Sequence, residues 1–173
     1  MAVSEKNRIT VQEAGEILVS FAIDREDLKQ AIGALPKDQA LNGVALDYEL
    51  QLLKIVSVGW SVSVYMEGRP EKEALSTFFW RSIHALSKQL SALSGLTIGQ
   101  EIDYFQVIRE RLDSYLRAIT LQGEGRDIAA LIGAAFAERL KERENPFVLI
   151  TGSRIFHMAA QGVREYLASL TLE

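Results

Sequence analysis

Between Leu46 and Val64 nearly every even-numbered residue is apolar, and only Lys54 breaks the alternation. Period two is the pattern of a half-buried strand, and the valines of this stretch favour one. The same residues also satisfy a helix. Leu41, Ala45, Tyr48, Leu52, Ile55, Gly59, Val62 and Met66 recur at steps of three and four, with Asp47, Gln51, Lys54 and Ser61 opposite. Length separates the two templates, because an unbroken strand of about 20 residues lies far outside the usual roughly 3–10. The spacing therefore predicts a helix over 44–66, closed by Gly68 and Pro70. Residues 8–23 carry the same conflict. Thr10 and Glu13 form a capping box and Val11, Ala14, Leu18 and Phe21 keep helical register, yet Ile17, Val19, Phe21 and Ile23 alternate.

The rest of the chain is punctuated like a helical protein. Pro70 stands at a helix-initiating position, with Glu71 and Glu73 suited to a first turn. Leu75, Phe79, Ile83, Leu86, Leu90 and Leu93 then keep helical spacing as far as Gly95. Thr97 opens a second helix carrying Ile102, Phe105, Ile108, Leu112, Tyr115 and Ile119 on one face, with Gly123 closing it. Asp127 caps a third over 128–144, whose Ala129, Gly133 and Ala137 would let a neighbour approach closely and place it centrally. Asn145 and Pro146 begin the last, which runs to about Leu170. With Asp24 opening a short helix before Leu35, these elements make an all-α bundle of six or seven antiparallel helices. The alternative is α+β, with a small sheet in residues 8–66 followed by four helices.

A chain of 173 residues suits one globular domain spanning 1–173, with residues 1–8 flexible. The net charge of −4 opposes a nucleic-acid partner, and Arg109, Arg111 and Arg117, interrupted by Glu110 and Asp113, read as a solvated mixed-charge face. There is no cysteine, hence no disulfide and no thiolate metal site. The polar N-terminus shows no signal peptide, and the longest charge-free apolar run, Ile55 to Met66, is far short of the about 20 residues that span a bilayer. The reading is a cytoplasmic protein of bacterial type, with no membrane partner.

Two stretches imitate binding motifs. In "NPFVLITGSRIFHMAAQG", residues 145–162, an apolar run enters Thr151-Gly152-Ser153 and then a helix, as a dinucleotide-binding unit does. That fingerprint needs three glycines at fixed spacing and a further strand, and this chain has neither, so the stretch reads as a helix start. "ITVQEAGEIL…DREDLKQAI" resembles the helix-turn-helix of bacterial regulators over about 25 residues. It departs from that pattern in a turn several residues too long and in Asp24, Glu26 and Asp27, which would repel phosphate.

Three groups of residues are candidates for function. Arg81 with His84, and Arg154 with His157, each place a guanidinium and an imidazole three residues apart on one helix face, a possible clamp for an anion. The small residues around Gly59 could leave a cavity lined by Trp60, Tyr48 and Tyr65. Phe78, Phe79 and Trp80 are too many consecutive aromatics for one stripe, so Phe78 or Trp80 must meet a second surface, in this domain or on another chain. No catalytic signature, metal-ligand set or cofactor motif stands out. The leading expectation is a non-catalytic helical adaptor that self-associates as a homodimer through the wide apolar face around Phe78 to Trp80, or engages another protein partner. The other is a small-ligand or anion binder, or an enzyme, built on the paired Arg-x-x-His faces.

Overall fold

The computed structural model describes residues 7–37, 41–121, 125 and 127–173. They form an all-α bundle of seven helices, joined by one short pair of strands. In chain order these are β1 (Asn7–Ile9), α1 (Val11–Ile23), α2 (Glu26–Gly33), α3 (Gly43–Tyr65), α4 (Lys72–Ile98), α5 (Tyr104–Leu121), α6 (Ile128–Arg139), α7 (Pro146–Ala168) and β2 (Leu170–Leu172).

Local start signals act as their chemistry dictates. Thr10 and Glu13 close the capping box at α1, with Thr10 N donating to Glu13 Oε2 (2.8 Å) and Glu13 N to Thr10 Oγ1 (3.1 Å). The Asp127 carboxylate accepts from Ala129 N at the head of α6. Asn145 accepts from Phe147 N and Val148 N, with Pro146 in the first turn of α7, so the dinucleotide-like stretch is a helix from its outset.

The two-way periodicity of 44–66 resolves as helix, and its ambiguity has a physical source. From Leu52 to Gly59 every residue is buried. A helix apolar on all sides satisfies both periods, and it belongs at the centre of a fold. α3 packs on α1, α2, α4, α5 and α7. The central position expected for α6 belongs to α3 instead, while α6 lies mainly on α7 and α5. Its small residues do serve close approach. A Cβ added at Gly133 would lie 2.5 Å from the Leu149 carbonyl oxygen of α7, and one added at Gly152 would lie 2.6 Å from Phe136 Cδ1 of α6. Gly152 is therefore a packing notch, not a phosphate turn.

Several boundaries differ from the sequence reading. α4 runs through Gly95 to Ile98, and Gly99 takes the left-handed conformation that ends it (φ +69°). Thr97, expected to open the next helix, donates instead to the Leu93 carbonyl inside α4 (2.9 Å), and the Asp103 carboxylate accepts from Gln106 N at the start of α5. Pro70 precedes α4 without entering it. α6 stops at Arg139, before the left-handed Lys141 (φ +61°). Gly123 lies outside the described residues. α7 stops at Ala168 because the chain turns extended, and β2 pairs in parallel with β1, Asn7 opposite Leu170 and Ile9 opposite Leu172. Of the segment expected to be flexible, Asn7 and Arg8 are thus held in a strand, and residues 1–6 lie outside the described residues. The alternative with a sheet inside 8–66 is replaced by helices α1 to α3. One buried apolar cluster draws on all seven helices and β2.

Candidate functional site

The three consecutive aromatics find their second surface within the chain. Phe79 is buried in the core. Phe78 lies over Gly15 of α1, where an added Cβ would stand 2.7 Å from Phe78 Cε1. Trp80 enters the notch at Gly59 of α3, where an added Cβ would stand 2.8 Å from Trp80 Cη2. Two glycines distant in sequence thus seat these rings within the domain, the first of the two surfaces open to them, and intrachain packing takes up the face around Phe78 to Trp80 where self-association was expected.

The paired Arg-His faces remain separate. His84 is half-buried, its ring 4.5 Å from that of Phe105 on α5, while Arg81 opens into a groove beside Val11 and Gln12 of α1. Arg154 and His157 are exposed on α7. No hydrogen bond, ion pair or ring contact joins one pair to the other among the described residues.

Trp60 packs on Phe156 of α7, with ring centroids 5.3 Å apart. Together with Leu53, Ser57, Tyr115 and Ile132 it lines an internal gap of about 10 Å³, room for a single water at most. Neither Tyr48 nor Tyr65 reaches this gap. The Tyr115 hydroxyl is buried without a hydrogen-bond partner among the described residues, and burial, with the Glu49 charge, pushes its pKa upward. Since an unpaired buried hydroxyl is a net cost, Tyr115→Phe is expected to leave stability unchanged or raise it by about 1 kcal/mol. Thermal unfolding would show this. A clear loss would mean that the hydroxyl holds a partner in solution.

Two buried ionic centres escape a reading of local patterns. Lys54, placed by periodicity on the polar face of α3, is fully buried (0 % exposed). The α1–α2 segment covers that face, and Lys54 Nζ donates to the Asp24 carbonyl (2.8 Å), pairs with Asp27 Oδ2 (2.8 Å) and lies 4.7 Å from the Phe21 ring centroid. Burial works to raise the pKa of Asp27, but the hydrogen bond and charge of Lys54 outweigh it and hold the carboxyl below its ordinary range.

The second centre joins α3, α5 and α6. Arg111, grouped by sequence with the solvated Arg109 and Arg117, is buried, because position 111 falls between Ile108 and Tyr115 on the inner face of α5. It grips Glu49 with both arms, Nε to Oε2 at 2.8 Å and Nη2 to Oε1 at 2.6 Å. Burial works against its charge, yet the hydrogen bond and charge of Glu49 raise its pKa. Arg139 Nε stands 3.8 Å from the same Glu49 Oε2. Tyr48 lies beside this pair, its ring edge-on to Tyr104 at 6.5 Å, with a pKa raised mainly by burial.

Among the described residues, a row of exposed leucines with helical order lies on the distal half of α4. Leu75, Phe79 and Ile83 are core residues and Leu86 is half-buried, but the stripe then leaves the protein. Leu90 is 54 % exposed, Leu93 56 % and Leu96 85 %. Among the described residues no helix is long and apolar enough to cross a membrane, and no cluster of three His, Asp or Glu side chains forms a metal cage. No family model, curated protein or solved structure matches the chain.

Proposed function

We propose that this protein is a non-catalytic, cytoplasmic helical interaction module that pairs with a second copy of itself through the distal half of α4. The observation that carries this is the continuation of one apolar stripe from core into solvent. Ile83, Leu86, Leu90 and Leu93 follow steps of three, four and three, the spacing of a helix–helix seam, and the last two are more than half exposed. Exposed leucines in register on one helix mark an association surface, whereas scattered ones would not.

Charge selects the occupant. Between Arg81 and Glu101 the only Asp, Glu, Lys or Arg is Lys88. A partner recognised by charge would find almost nothing to read there, and a membrane-surface helix would carry a basic rim. A second copy meets its own kind without repulsion. Ala92, small and exposed on the same stretch of α4, adds no bulk or charge against a second copy.

Sedimentation velocity across a concentration series tests this. The wild-type chain is expected to sediment as a dimer at micromolar concentration. Leu90→Glu with Leu93→Glu should be monomeric with an unchanged helical circular dichroism spectrum, since both sites are exposed. A wild-type monomer at about 1 mM, or a dimer that survives the double substitution, would exclude the seam.

A further inference from the structure

Two guanidiniums share one carboxylate at the Glu49 centre, and the arrangement is lopsided. Arg111 occupies both Glu49 oxygens with its fork. Arg139 is left with a 3.8 Å approach to an oxygen already in use, and it makes no hydrogen bond among the described residues. The centre therefore holds one positive charge in excess, on a side chain only 34 % exposed. A half-desolvated guanidinium with unfilled donors is the group that binds planar oxyanions best in proteins.

That guanidinium opens onto a cleft of about 440 Å³ between the start of α3 and the end of α6, within the usual size of small-molecule sites. Its walls combine Leu41, Ala45, Leu46 and Leu140 with the ring of Tyr48. At the mouth stands the N-terminus of the 23-residue α3, whose first-turn N–H groups are only partly capped by Asn42. Lys141 lies on the rim without an ion pair among the described residues, while the Glu142 carboxylate accepts from Asn145 Nδ2 at 3.2 Å.

We infer that this cleft binds a small organic monocarboxylate, its carboxylate on Arg139 and its apolar or aromatic body against Tyr48 and the leucine walls. The charge count decides between a carboxylate and a phosphate. One net positive charge at the floor is neutralised by a monoanion; on the rim Lys141 and Glu142 offset one another, as do the N-terminal end of α3 and the C-terminal end of α6, so no further positive charge matches a second negative one. The site lies away from both Arg-x-x-His pairs and does not depend on self-association.

Isothermal titration calorimetry with benzoate and hexanoate tests the assignment, with benzamide as the uncharged counterpart of benzoate and inorganic phosphate as the competing oxyanion. At least one of the two carboxylates should bind saturably. Benzamide should bind at least about tenfold more weakly than benzoate if benzoate is the one that binds. Arg139→Gln should weaken the carboxylate by about tenfold or more, and Arg139→Lys should recover only part of the loss because an ammonium lacks the fork. The double variant Arg81→Gln/Arg154→Gln should bind as wild type does. Circular dichroism of each variant would establish that it folds. No saturable binding of either carboxylate up to about 20 mM, an Arg139→Gln protein that binds unchanged, or phosphate binding more tightly than both would each overturn the inference.

Discussion

Replacing Asp27 with alanine is expected to cost about 3 kcal/mol of folding stability, whereas replacing its partner Lys54 with methionine should cost less than about 1 kcal/mol or even stabilise. The two ends of the ion pair are in different environments. Lys54 is fully buried and Asp27 is 19 % exposed. Without Asp27 the ammonium stays in the interior with the Asp24 carbonyl and an Asp24 carboxylate 3.9 Å away. Without Lys54, water can still reach both carboxylates, and a methionine side chain fills the space of the lysine stem. Urea unfolding of both variants gives the ranking, and equal losses would refute the asymmetry.

Acid should act through the same pair. The folded pKa of Asp27 is held below its unfolded value, so its contribution is present above the unfolded carboxylate pKa of about 4. It is lost as pH falls through the lower folded value. Asp27→Asn should remove that component of the acid sensitivity.

Gly133→Ala is expected to cost about 3 kcal/mol, although alanine is the better helix former by about 1 kcal/mol. The added Cβ would lie 2.5 Å from the Leu149 carbonyl and 3.1 Å from Ser153 N, so it meets backbone that cannot rotate aside. α6 and α7 would have to separate along their shared contact. Gly33→Ala sets the opposite expectation, since nothing lies within 4 Å of its added Cβ. A Gly133→Ala protein with wild-type thermal stability would mean that the α6–α7 contact gives way easily.

Contacts of this kind show where a reading of the sequence stops. Thr10 with Glu13, Asp127, and Asn145 with Pro146 start their helices where their residue types indicate, because a cap is satisfied within three residues of itself. Gly95 reads as a helix end and is not one. Gly99 supplies the left-handed residue, and a helix-interior glycine is only mildly unfavourable. Lys54 and Arg111 were misplaced for a shared reason. A periodic pattern assigns every charge to solvent, while these two are covered by segments that bring their own acceptors, Asp27 with the Asp24 carbonyl, and Glu49.

Periodicity and punctuation by themselves determined that the chain from Pro70 onward is helical and where most helices begin, while segment length had to decide for 44–66 and residues 8–23 stayed open between helix and strand. Those properties depend on hydrogen bonds and side-chain spacing a few residues apart. The burial of α3, the seating of Phe78 on Gly15 and Trp80 on Gly59, and the sharing of Glu49 by Arg111 and Arg139 were decided by tertiary structure alone. Each joins residues from separate helices, up to 90 positions apart in the case of Glu49 and Arg139, and its energy exists only after the helices have packed.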